Sequence, residues 1–196
     1  MSFGVFLLIL LIAVIIYLIW ATGILEKIEA KITEFPSMTL AYIPVTGPYK
    51  EAYKKTAKVE QIIKEKTNVD LSKQPCFGIY YDNPQTVEPS KCRSIVGKLL
   101  PDGFKLETIE GISYAKIEKK EKSIQVEYPL RSIFGIFAGI YRCYPVLQRT
   151  HQLKCQGENV SAAIEIYGWK GNKILFATVV GEAPGVLSEF PKEKAE

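Results

Sequence analysis

No charged side chain occurs between Met1 and Leu25, and Phe3 to Trp20 is apolar throughout apart from Gly4. An eighteen-residue helix rises roughly 27 Å, close to the hydrocarbon thickness of a bilayer. Tyr17 and Trp20 stand where interfacial aromatic anchors are expected. Residues 1–25 are therefore expected to form a transmembrane anchor. The rival reading is a cleaved secretory signal ending at Ala21-Thr22-Gly23. The absent basic leader and the long apolar core argue against it. Lys27 and Lys31 follow the segment while no base precedes it. That asymmetry predicts a cytosolic domain with the N-terminus on the lumenal side.

Placement decides how the cysteines are read. Cys76, Cys92, Cys143 and Cys155 form no C-x-x-C pair, and there is one histidine. Neither a zinc site nor any other metal centre is expected, and cytosolic thiols stay reduced. The sequon Asn159-Val160-Ser161 would carry no sugar in the cytosol. A net charge of +4, from 25 basic against 21 acidic residues, is too small and too dispersed for a dedicated nucleic-acid binder.

Beyond the anchor, residues 26–37 read as a charged linker, 38–183 as one folded domain, and 184–196 as a short polar tail. Strands are expected at Met38–Val45, Cys76–Tyr81, Lys91–Leu100, Ile112–Glu118, Ser123–Tyr128, Ser161–Tyr167 and Lys173–Val180. A helix opens at Gly47-Pro48 and lines up Tyr49, Ala52, Tyr53, Thr56, Val59, Ile62 and Ile63 on one face. Its opposite, lysine-rich face reads as solvated. Leu130–Tyr144 reads as a buried apolar helix centred on Phe137, broken at Pro145 and continued to about Leu153. The order of elements is a β-α-β-β unit used twice. The fold class is α+β, an antiparallel sheet with both helices on one face.

No dinucleotide or P-loop glycine pattern is present, and no catalytic triad can be built on His151 alone, so no cofactor and no catalytic residue is expected. Glu165 is more informative. Strand alternation puts Ile164 and Ile166 on one face and Glu165 and Tyr167 on the other. With the helices on the isoleucine face, Glu165 and Tyr167 would line an open face, joined by Tyr80, Tyr42 and Trp169. A carboxylate among aromatic rings is the chemistry of a cation pocket. A general acid or base in a hydrolase and a plain exposed glutamate are the other readings.

Tyr80, Tyr81, Asp82, Asn83 and Pro84, followed by Val87, Pro89, Lys91, Cys92, Arg93, Val96 and Gly97, resemble the testis-expressed protein 264 family of ER-phagy receptors. Tyr128-Pro129, Tyr144-Pro145-Val146-Leu147 and Ile164-Glu165-Ile166-Tyr167 extend the likeness, and Thr46-Gly47-Pro48-Tyr49 is similar to the wider GyrI-like superfamily. The resemblance implies a GyrI-like domain on a single-pass endoplasmic-reticulum anchor. It also implies an adaptor whose partners are the membrane, the autophagy machinery and a segregase ATPase. The family's long modifier-binding tail has no counterpart before Glu196, where Phe190-Pro191-Lys192-Glu193 fails the aromatic-x-x-aliphatic pattern. The alternative is a small-molecule module for aromatic cations, or a GyrI-like hydrolase.

Overall fold

The computed structural model describes residues 3–191. Helix α1 (Phe3–Thr22) leads into β1 (Lys31–Phe35), β2 (Met38–Thr46), α2 (Tyr49–Thr67), β3 (Cys76–Tyr80), β4 (Arg93–Leu100), β5 (Ser113–Ile117), β6 (Lys120–Pro129), α3 (Ile133–Lys154), β7 (Ala163–Trp169) and β8 (Lys173–Val179). All pairings within the single eight-stranded sheet are antiparallel, in the order β1-β6-β8-β7-β3-β4-β2-β5. The units β2-α2-β3-β4 and β6-α3-β7-β8 occupy equivalent places on either side of the central β3/β7 seam. The stretch read as a linker contains β1, which pairs with β6.

Both faces of the sheet are buried, by different means. Val96 of β4, Gly78 of β3, Glu165 of β7 and Phe176 of β8 are register partners in turn, so they share one face. Helix α2 covers the β2/β4 side of that face through Ala52, Val59 and Ile63. Helix α3 covers the β6/β8 side through Cys143 and Leu147. The other face curls on itself. Phe35 near one edge and Ile117 at the other reach the same cluster as Ile79, Ile95, Ile164 and Ile166. A 3-10 turn at Gly185–Leu187 closes it, with Leu187 buried. Part of the expected polar tail is therefore core, and Lys192–Glu196 lie outside the described residues.

This curl reverses the expected orientation of Glu165. The isoleucine face is covered by the sheet's own curvature, so Glu165 and Tyr167 point toward the helices.

The helix after Tyr128-Pro129 also departs from expectation. It is continuous through Pro145, and Ser132 caps it by accepting from the Gly135 amide at 3.2 Å. Its first half is not buried. Phe134 is 56% exposed, Phe137 64% and Tyr141 84%. The sheet is met instead by Gly135, Gly139, Cys143 and Leu147, a stripe of mostly small residues that brings the helix close and turns the large rings outward.

Candidate functional site

The seam between α2 and α3 is where a residue of β3 or β7 on the helix side lacks an overlying helix. Glu165 sits there, 3% exposed. Tyr144 of α3 donates its hydroxyl to Glu165 Oε1 at 2.6 Å, and Tyr167, two residues along β7, donates to Oε2. Among the described residues no lysine or arginine pairs with this carboxyl. The other buried charge on this face, Lys98, is matched by Glu60 of α2 at 3.1 Å and lies 3.5 Å from Cys76 Sγ. Burial therefore dominates at Glu165 and pushes its pKa above the ordinary carboxylate value, against the two phenol hydrogen bonds that pull it down. Burial likewise pushes the Tyr144 and Tyr167 hydroxyls up, with the Glu165 carboxyl adding to the effect.

Tyr80 closes the cluster. Its ring folds back over Gly78, where a Cβ would meet the phenol oxygen at 2.6 Å, so only glycine leaves room for it. Gly78 and Glu165 are direct partners across the β3/β7 seam. Tyr80 packs edge-on against Tyr49, with ring centroids 4.8 Å apart. Tyr49 is fixed in turn: its hydroxyl donates to the Asp82 carbonyl at 2.8 Å and accepts from the Asp82 amide at 3.0 Å. Asp82 accepts from the Arg93 amide at 2.7 Å and from its guanidinium at 2.8 and 3.0 Å. The residues quoted from Thr46 to Tyr49 and from Tyr80 to Arg93 thus form one latch that holds Tyr80 beside Glu165. Asn83 shapes its loop by accepting from the Gln85 amide, Cys92 is buried under it, and Lys91 pairs with Glu88 at its surface. Pro84 lies in that exposed loop.

Of the five residues expected around a ligand, the structure brings Glu165, Tyr167 and Tyr80 together. Tyr42 and Trp169 lie on the curled face, and Trp169 Nε1 donates to Glu127 at 3.2 Å. Tyr81 also belongs there, donating to the Val186 carbonyl at 2.7 Å. Tyr144 and Tyr49 join the cluster without having been anticipated. Only the Tyr144-Pro145 likeness signalled the first, and only the Gly47-Pro48-Tyr49 helix start signalled the second. Two cavities, of about 430 and 710 Å³, lie at the end of α1 and beside Asn159, and neither touches the tyrosine cluster. Among the described residues no group of three His, Cys, Asp or Glu side chains could hold a metal ion.

Residues 29–138, more than half of the chain, match the GyrI-like small molecule binding domain, and the chain belongs to that family. The fold agrees. It superposes on the EcmrR–DNA complex with TM-score 0.59 at 12% identity, covering 80% of this chain and 58% of that one. The C-terminal domain of EcmrR gives TM-score 0.55 at 16% identity, covering 81% of this chain and all of that domain. SAV2435 bound to tetraphenylphosphonium gives 0.47 at 16% identity, covering 78% and 93%. The chain thus spans little more than half the length of the EcmrR chain in the DNA complex. No curated protein matches the sequence.

These findings correct the adaptor reading. The matched family is a small-molecule binding domain, and structures that share its fold include EcmrR in complex with DNA and the C-terminal domain of EcmrR. The receptor role in selective autophagy falls with it. So do the autophagy machinery and segregase ATPase as partners, and the single-pass endoplasmic-reticulum location with a lumenal N-terminus flanked by Lys27 and Lys31. What stands is physical: Phe3–Thr22 is a helix long and apolar enough to cross a membrane.

Proposed function

We propose that the domain binds a small aromatic cation at Glu165. The observation that carries this reading is a buried carboxyl whose only hydrogen-bond partners among the described residues are two phenols. The fold leaves this acid without a base, while the one buried lysine nearby has its own acid. A positively charged ligand supplies the missing charge, and the rings of Tyr80 and Tyr167 supply faces for it. Each desolvated cation–ring contact is worth about 1–2 kcal/mol. Burial raises the Glu165 pKa, and a cation favours the charged carboxylate, so binding is linked to loss of the Glu165 proton wherever the pH lies below that raised value. Binding therefore tightens as pH rises toward the raised pKa and levels off above it.

The test is calorimetry of the full-length chain in non-ionic detergent with tetraphenylphosphonium as the aromatic cation. One-to-one saturable binding is expected. Equal heats for the wild type and Glu165→Gln would show uptake by detergent or another site and sink the reading. The likeness to testis-expressed protein 264 is proposed only as kinship of the folded domain, supported by the latch residues Tyr49, Asp82 and Arg93.

A further inference from the structure

The Glu165 site is filled by its own tyrosines, so a ligand has to displace one of them. Tyr167 stands on a central strand, and Tyr80 is wedged between Gly78 and the latch. Tyr144 is the movable member. It precedes Pro145, which has no N–H for the Tyr141 carbonyl, so the helix is weakest there. The outer face of α3 upstream, with Ile133, Phe134, Phe137 and Tyr141, is exposed and unpacked. Its inner face rests on the sheet through glycine: a Cβ at Gly139 would lie 3.1 Å from Phe176, the ring that Tyr144 meets edge-on at 5.8 Å.

That same half of α3 holds the end of α1. A helix leaves its last carbonyls unpaired, and here neighbouring residues of the domain cap them. Ser132 donates to the Ala21 carbonyl and Tyr128 to the Thr22 carbonyl, each at 2.8 Å. Arg131 donates to the Trp20 carbonyl at 3.1 Å, with its guanidinium 5.4 Å from the Trp20 ring centre. Arg142 donates to the Gly23 carbonyl at 3.0 Å and the Glu26 carbonyl at 2.9 Å, and lies over the Tyr128 ring. Arg142 is two residues from Tyr144.

We infer that Tyr144 is a gate whose displacement by a ligand at Glu165 moves the first half of α3 and, through Ser132, Arg131 and Arg142, the end of α1. This rests on the ligand reading of Glu165 and adds its regulation: occupancy of the site is reported at α1, and by reciprocity the state of α1 sets how easily the site opens.

The experiment uses the full chain in non-ionic detergent with Trp169→Phe, which leaves Trp20 as the only tryptophan. Titration with tetraphenylphosphonium should change Trp20 emission with the midpoint found by calorimetry, and Glu165→Gln should shift both midpoints together. Heat of binding with a flat Trp20 signal overturns the coupling and leaves the binding intact. A second arm needs no ligand. Arg142→Gln removes the bonds to Gly23 and Glu26, and hydrogen exchange at the Tyr144, Val146 and Leu147 amides should quicken at least about threefold. Ser132→Ala serves the same end should Arg142→Gln fail to fold. Absence of any heat sinks the ligand reading, and the exchange arm still decides the coupling: unchanged exchange in both variants overturns it.

Discussion

Replacing Glu165 by glutamine should make the protein more stable at neutral pH and a poorer binder, and the two effects come from one cause. The carboxyl is buried, its pKa is raised above 4.5, and burial is the largest contribution. A carboxyl with a raised folded pKa contributes stability that is fully present below its unfolded pKa. That stability is lost as pH rises through the folded value, because the folded state must then hold a buried charge that the unfolded chain solvates. Glutamine carries no charge at any pH and can still accept from Tyr144. The stability difference, Gln variant minus wild type, should therefore be small near pH 4. It should climb by up to about 1.4 kcal/mol per pH unit and flatten once the folded pKa is passed. The height of the plateau measures the pKa elevation directly. For binding the sign reverses. A unit cation about 4 Å from the carboxylate gains roughly 4 kcal/mol at an effective dielectric of 20. Desolvation removes part of that, leaving about 1–3 kcal/mol, or a roughly 5- to 150-fold loss of affinity in the glutamine variant. Urea melts of the full-length chain in detergent across pH 4–9 supply the first quantity and calorimetry at pH 8 the second. A glutamine variant that is less stable than wild type at pH 8, or a stability difference that does not vary with pH, would refute the assignment of a charge-burying acid at this position.

Phe137→Ala should cost under about 1 kcal/mol, because its ring is 64% exposed, whereas Phe176→Ala should cost about 3–5 kcal/mol, because its ring is fully buried beneath α3. Paired denaturant melts that returned the reverse order would mean that α3 is rotated on the sheet. At Gly97 a Cβ would stand 1.9 Å from the Ala41 carbonyl oxygen of the neighbouring strand, a backbone contact that cannot swing aside. Gly97→Ala should therefore lose more than about 3 kcal/mol or fail to fold, and near-wild-type melting would show that the β2/β4 pair is not as close as drawn.

Much of the architecture was legible in the sequence because it is written in local period. The alternation of Ser161–Tyr167, the helical spacing from Tyr49 to Ile63 and the apolar run from Phe3 to Trp20 each declare their element without reference to anything distant. The two β-α-β-β units follow from their order. What covers each face is not local. A strand such as Ser94–Leu100, with Ile95 and Leu99 on one side and Val96 and Leu100 on the other, says only that both sides are buried. Whether helices or a curled sheet do the covering depends on how β1 and β5 come round to Phe35 and Ile117. For the same reason Phe137 read as core. The segment is apolar all round, and the choice between burying Phe134, Phe137 and Tyr141 or burying Gly135, Gly139 and Cys143 is settled by how closely α3 must approach Tyr128 and Phe176.

The site was half legible on the same grounds. Glu165, Tyr167 and Tyr80 stand on strands whose phase is readable, and they do meet. Tyr42 occurs in a readable strand too, but its face is fixed only by register with β4, while Trp169 falls in the expected turn after Tyr167, into which β7 extends. Tyr144 comes from the far half of a helix and reaches Glu165 only because Gly139 lets α3 settle onto the sheet. The deciding feature of the site is also the least local one. Two buried charges, Lys98 and Glu165, face the helices within the span of β4, β3 and β7, and either might have been expected to neutralise the other. Lys98 is instead taken by Glu60, one helix turn before Lys64 on α2. That pairing leaves Glu165 to two phenols, which donate hydrogen bonds but bring no positive charge. The unbalanced acid at the seam is thus a consequence of where α2 places one glutamate, and it is this imbalance that a cation would resolve.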